Sequence, residues 1–430
     1  MRRPRPLARG TAALLPLAAA GALLLGAAAP AQAQLGPYYL RGTQSFTHDS
    51  NLFRAPEGAG VASDTVSSTG LAAGLEQPLG RQRLSAQASV ALNRFRNFSE
   101  LDNNGHRLDL RLDWETIARL SGDVRFGRSR QLASYADTRA LGALRLRNIV
   151  TAQDLSARAR FGGASLLSLE ADVARREQSF SAPQYRSREL EQTSVGAGVR
   201  YRPSDLLNLG LALRHTDGRN PNFTATGQSN DYERQDLSLT ANWRPSGITA
   251  LSGRLSRTTT DHEFAGGRDF SGLTGGLGVD WRPSGRSRLG LQLSRETSDE
   301  SIVVTTLGPD PDAPQQLALV ETPLVDSRLS NTLRLNGSYA LTGKIMLDAG
   351  LRWSRRRLED AVAPGAGGPL LLAGSDRTTA ASLGASYAVN RSLQLGCGIA
   401  RERRTADTAN ALTAPFRATT ASCQAQLTLQ

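Results

Sequence analysis

The chain has 430 residues, 5% of them aromatic, two cysteines and a formal net charge of +12. A layered soluble core of that size needs many large apolar side chains, and a mean hydropathy of −0.33 argues against one. The charge is carried by arginine, with Lys344 the single lysine, a balance that raises nucleic acid as a partner until the N-terminus is read.

Residues 1–33 read as a cleaved secretory signal. Arg2, Arg3, Arg5 and Arg9 form a basic start, Thr11 to Ala29 is uncharged and Leu/Ala-rich, and Ala31-Gln32-Ala33 offers a small-x-small cleavage site. Such a signal takes the mature chain out of the cytoplasm, which argues against nucleic acid. Residues 34–430 then form one domain, and none of its apolar runs is long enough for a spanning helix.

From there the chain alternates. In His106–Trp114, Leu108, Leu110, Leu112 and Trp114 share one face, and Arg107, Asp109, Arg111 and Asp113 share the other. Val195, Ala197, Val199 and Tyr201 repeat the pattern, followed by Leu207 to Leu213, Leu237 to Trp243 and Leu289 to Leu293. Leu333 to Tyr339, Leu347 to Trp353, Leu383 to Val389 and Leu393 to Ile399 continue it. A period of two means strands with one apolar face.

The connections alternate as well. Tyr201-Arg-Pro-Ser204, Trp243-Arg-Pro-Ser-Gly247, Trp281-Arg-Pro-Ser-Gly285, Tyr339-Ala-Leu-Thr-Gly343 and Tyr387-Ala-Val-Asn390 are tight, each led by an aromatic residue. Between them lie longer polar segments, the longest near 298–325 and 357–375. Short turns at one end, long loops at the other and an aromatic girdle predict an all-β transmembrane antiparallel barrel of about 18 strands (16–18). Periplasmic turns, extracellular loops and a Gram-negative outer membrane follow from that fold. Closure satisfies every backbone group in lipid, and a barrel of this size leaves an aqueous interior.

The face opposite the apolar stripe carries Arg111, Arg125, Arg158, Arg160, Arg200, Arg214, Arg334 and Arg352. Asp109, Asp113, Asp123, Glu170, Asp172, Asp280 and Asp348 interleave with them. Ladders of this kind brace a wide barrel. The functional expectation is an arginine surplus that makes the lumen positive and favours anions or polyanions. Guanidinium forks match the carboxylates of uronic-acid sugars.

Cys397 and Cys423 fall opposite each other if the last hairpin turns near position 410, so a disulfide and two unbridged lipid-facing cysteines are both open readings. His48, His106, His215 and His262 sit near long loops without a nucleophile motif. No metal signature and no phosphate loop stands out, and the expectation is a non-enzyme without a cofactor.

Tyr38-Tyr39-Leu40 leads into Thr47-His48 and the block Asp49-Ser50-Asn51-Leu52-Phe53-Arg54, with Asp64 beyond the loop. This block resembles the EpsL-type outer-membrane barrels of exosortase-associated exopolysaccharide clusters. The resemblance covers about thirty residues. It implies export of an extracellular, anionic polysaccharide as cargo, with periplasmic partners handing over polymer. A general or substrate-specific porin for small-solute uptake is the alternative. Outer-membrane lipid and lipopolysaccharide are the expected surroundings of either. Read from its residues, the block is a turn former closing the first hairpin, with Leu52 and Phe53 at the membrane rim; a cation or sugar site at Asp49, Asn51 and Asp64 is the other, less favoured reading.

Overall fold

The computed structural model describes residues 37–429 except 118, 136–144, 164, 224–227, 264–268, 298–301, 310–316, 325–328, 363–369 and 408–412. The signal segment 1–33 lies outside the described residues. In chain order the strands are β1 (Tyr38–Asp49), β2 (Asp64–Leu79), β3 (Gln82–Phe95), β4 (Asn103–Glu115), β5 (Leu120–Leu132), β6 (Ile149–Phe161) and β7 (Leu167–Phe180). Next come β8 (Leu190–Ser204), β9 (Leu207–Asn220), β10 (Asn230–Ser246), β11 (Thr249–His262), β12 (Phe270–Ser284) and β13 (Ser287–Glu296). The rest are β14 (Ile302–Pro309), β15 (Leu317–Leu324), β16 (Leu329–Ala340), β17 (Ile345–Val362), β18 (Leu370–Ala388), β19 (Leu393–Ala406) and β20 (Phe416–Leu429).

Eighteen strands form one antiparallel sheet, each paired with its sequence neighbour in the ring, and β1 closes it by pairing with both β2 and β20. The eighteen-stranded ring has no open edge. The remaining two, β14 and β15, pair only with each other, inside the connection from β13 to β16. The sequence reading takes 298–325 as a plain loop. The β-branched run Ile302-Val-Val-Thr-Thr and the apolar run Leu317-Ala-Leu-Val form a hairpin instead.

Burial is inverted relative to a soluble protein. Leu211, Leu213, Leu239 and Leu383 are 53%, 59%, 54% and 63% exposed, whereas Asp64, Arg234, Asp236, Thr258 and Asp376 are buried. The polar face is the concave one, because its side chains reach past a neighbouring strand: Arg254 on β11 meets Glu296 on β13, and Arg352 on β17 faces Glu402 on β19. Alternating residues thus point to lipid and to lumen. Among the described residues no helix is long and apolar enough to cross a membrane. The strands do the crossing.

Tyr201, Trp243, Trp281, Tyr339 and Tyr387 are all exposed on the outer face next to short turns. At three of these turns the ladder register shifts, between Tyr201 and Ser204, Trp243 and Ser246, and Trp281 and Ser284. Each shift contains the proline of the Arg-Pro-Ser segment, which has no N–H to give the ladder.

Candidate functional site: the charged lumen

All eight arginines singled out above occupy the concave face. On β6 to β9 they form a compact sector. Glu170 on β7 accepts from Arg160 on β6 and from Arg200 on β8, the latter at 2.9 Å. Asp172 on β7 spans β8 to reach Arg214 on β9 at 2.8 Å. That span exists because Gly196 stands in the register row between them. A Cβ on Gly196 would lie 2.7 Å from Asp172 Oδ1. Arg158 sits directly opposite Asp172 on the other side. Four arginines thus surround Glu170 and Asp172, while Asp123 opposite Arg158 and Asp236 opposite Arg214 bind Arg125 and Arg234, and Arg214 is close to half exposed (46%).

Elsewhere on the inner face carboxylates stand beside arginines. On β4 and β5 the arginines are matched along their own strands, Arg111 to Asp113 at 2.7 Å and Arg125 to Asp123 at 2.9 Å. Arg288 meets Asp280 at 2.9 Å, Arg254 meets Glu296 at 3.3 Å, and Arg234 meets Asp236 at 2.8 Å. Alternation reveals the face of each arginine and not the carboxylate that neutralises it.

On the β16–β20 wall Arg334 stands opposite Arg352. Arg334 donates to Gln292 Oε1 at 3.2 Å. Arg352 lies 4.0 Å from Glu402 and is buried. Above it, Arg356 and Arg404 converge on Asp376, which also accepts from Thr413 at 3.0 Å. Arg356, Arg404, Asp376 and Glu402 were not singled out from the sequence. Their inward parity was readable, but their convergence depends on neighbouring strands.

The Asp49–Arg54 block builds the loop after β1. Asn51 N–H donates to Asp49 Oδ1 at 2.9 Å, an Asx turn. The Asn51 side chain donates to the carbonyls of Ala55 and Arg417 and accepts from Ala55 N–H. Thr419 N–H donates to Ser50 Oγ at 2.8 Å. These bonds stitch the loop to β20. Arg54, at φ 54°, binds Asp49 at 2.8 Å and lies 3.5 Å from Glu402. Burial works against the Arg54 charge, and Asp49 and Glu402 more than offset it, so its pKa is raised. Asp64 accepts the N–H groups of Asn97 and Phe98, fixing the loop after β3.

The turn reading of the block holds, but the rim position of Leu52 and Phe53 is corrected. Phe53 is 1% exposed. It packs edge-on against Phe98 and Tyr135 at 4.9 and 5.0 Å, with Phe95 and Leu101 in the same cluster and Leu52 against it. Arg145 covers the Phe53 and Phe98 rings. The loop's apolar residues find partners in other loops rather than in lipid.

Cys397 and Cys423 are opposite in register and disulfide-bonded, on the lipid-facing side with Leu395, Ile399 and Leu427. The histidines do not converge. His215 contacts Asp217 on the outer face, His48 contacts Thr65, and His262 is buried on the inner face. Among the described residues no group of three metal-binding side chains occurs.

A closed ring of eighteen strands, a lipid-facing aliphatic band, an aromatic girdle and a charged lumen define an outer-membrane β-barrel. No protein-family model and no curated protein matches the chain. Among solved structures, it is similar to OpdK of Pseudomonas aeruginosa with vanillate, at 11% identity and a TM-score of 0.46, covering 91% of this chain and 99% of that one. OccK2 (OpdF) of Pseudomonas aeruginosa in complex with glucuronate gives 15% identity and a TM-score of 0.46, with 92% and 98% covered. The siderophore receptor PirA of Acinetobacter baumannii gives 8% and 0.39, with 91% and 80% covered. At these scores the likeness carries nothing about cargo.

Proposed function

We propose that the barrel is a passive conduit for anionic solutes, with carboxylated sugars the class best suited to its wall. The observation that carries this reading is the β6–β9 sector, where Arg160 and Arg200 share Glu170, Arg158 and Arg214 flank Asp172, and the carboxylates opposite them on the next strands, Asp123 and Asp236, already bind Arg125 and Arg234. Guanidinium groups there retain donors that carboxylates of a passing solute can take, and a solute in water exchanges them readily. Liposomes carrying the protein should swell faster in galacturonate than in galactose at equal osmolarity. Equal rates for the two sugars, or swelling only in the neutral one, sink the reading.

Export of an acidic polysaccharide is the second reading, favoured by the Asp49–Arg54 block and its resemblance to EpsL-type barrels. Through Glu402 that block is tied to Arg352 of the lumen wall. A strain lacking the protein should then release less polymer to the medium and hold more in the periplasm. Unchanged secretion excludes export and leaves small-solute passage standing.

A further inference from the structure

On the outer surface of β17 to β20 the lipid-facing stripe turns abruptly basic toward the long loops. Above Leu351, Leu383 and Ile399 stand Arg355, Arg357, Arg377, Arg401, Arg403 and Arg417, all exposed. Arg355 is directly opposite Arg377, and Arg403 directly opposite Arg417. Like charges directly opposite on a sheet repel. The internal carboxylates nearby do not relieve them, because Asp376 and Glu402 alternate onto the inner face and serve Arg54, Arg352, Arg356 and Arg404. Arg417 meets Glu57 at 3.0 Å, and Arg377 covers the Trp353 ring at 5.9 Å. Among the described residues, Arg355, Arg357, Arg401 and Arg403 have no carboxylate partner.

Directly below is an independent feature. The outer faces of β12, β13 and β16–β20 form an apolar groove of about 970 Å³. Leu335, Leu351, Leu383 and Ile399 line it, Ala349 and Ala381 keep it open, and it ends at Arg401 and Thr419. It lies in the aliphatic band, so whatever fills it comes from the bilayer. An apolar slot ending at Arg401, with Arg403 and Arg417 next to it on the same outer face, matches an amphiphile with an anionic head.

We propose that this face holds a phosphorylated lipid of the outer leaflet, acyl chain in the groove and phosphate on Arg401, Arg403 and Arg417. Phosphate oxygens accept from guanidinium forks bidentately, and such charge-assisted bonds are stronger than neutral ones. The opposite side of the barrel supplies a built-in contrast. There the outward positions at the same end include Glu191, Asp217, Asp231, Glu233 and Asp261, relieved in part by Arg219 at 3.3 Å from Asp231. That acidic side is less suited to phosphate than the β17–β20 face.

The test is native mass spectrometry of the full barrel in nonionic detergent, titrated with bisphosphorylated lipid A and with its dephosphorylated form. Wild-type protein should retain the phosphorylated lipid at least roughly tenfold more tightly than the dephosphorylated one. Arg401→Gln/Arg403→Gln/Arg417→Gln should erase that preference, and Ala381→Trp, which fills the groove, should weaken both lipids. Asp217→Asn/Asp231→Asn should change neither. Heat-modifiable gel mobility reports folding of each variant. Should the triple variant fail to fold, Arg401→Gln carries the same test with a smaller loss. Equal retention by wild type and arginine variants overturns the proposal. So does displacement of the lipid by millimolar inorganic phosphate, which would mark a soluble-anion site, or indifference to Ala381→Trp.

Discussion

The two walls of the lumen use the same residue type in opposite ways. On β4 and β5, Arg111 and Arg125 lie about half exposed, at 47% and 49%, each beside a carboxylate on its own strand. On β17 and β19, Arg352, Arg356 and Arg404 are at 9%, 10% and 6%, converging on Asp376 and Glu402 from neighbouring strands. An exposed pair contributes about 0–1 kcal/mol, because water and salt compete for both charges. Removing one partner of a buried pair leaves an uncompensated charge and costs about 3–5 kcal/mol. The first wall can meet a solute with little loss of stability. The second holds the barrel and its first loop together.

The largest expected effect follows from that difference. Asp376→Asn should destabilise the barrel by about 3–5 kcal/mol, read by urea unfolding in lipid vesicles, because Arg356 and Arg404 both lose their anion. Arg111→Gln should cost less than about 1 kcal/mol in the same assay. Comparable losses would erase the distinction between the walls. On the outer face, Leu239→Arg at mid-strand should cost about 2–4 kcal/mol, since that residue faces hydrocarbon. A near-neutral result would deny that this face meets lipid.

Smaller effects sharpen the comparison. Gly196→Ala should push Asp172 off Arg214, costing about 1–2 kcal/mol and freeing Arg214 toward the lumen. Anion selectivity should rise in this variant although no charge has changed, and an unaltered reversal potential would show that the Asp172 bridge does not matter. Phe53→Ala should loosen the stitched loop, read as faster amide exchange at Asn51 and Ala55 with the strand ladder still protected.

The sequence made much of this legible because a strand's face is set by parity alone. The opposition of Cys397 with Cys423, Leu393 with Leu427 and Leu395 with Ala425 was readable once the hairpin turn was placed. The inward face of all eight arginines was readable for the same reason. Burial was not, since it depends on which strands stand two places away around the ring. Glu402 therefore gave no sign that it joins Arg54 to Arg352. Phe53 looked like a rim anchor because parity stops at the strand end, and its partners Phe98 and Tyr135 belong to later loops. The β14–β15 hairpin was hidden by the Pro/Asp-rich run between its strands.

The assignment of selectivity to the β6–β9 sector is tested most directly by the reversal potential of single channels in a planar bilayer under a potassium chloride gradient. Wild-type protein should prefer chloride, and Arg158→Gln/Arg214→Gln should shift the potential toward potassium, with Arg111→Gln/Asp113→Asn leaving it nearly unchanged. A potential that stays put when the β6–β9 arginines are neutralised would contradict the assignment of selectivity to that sector.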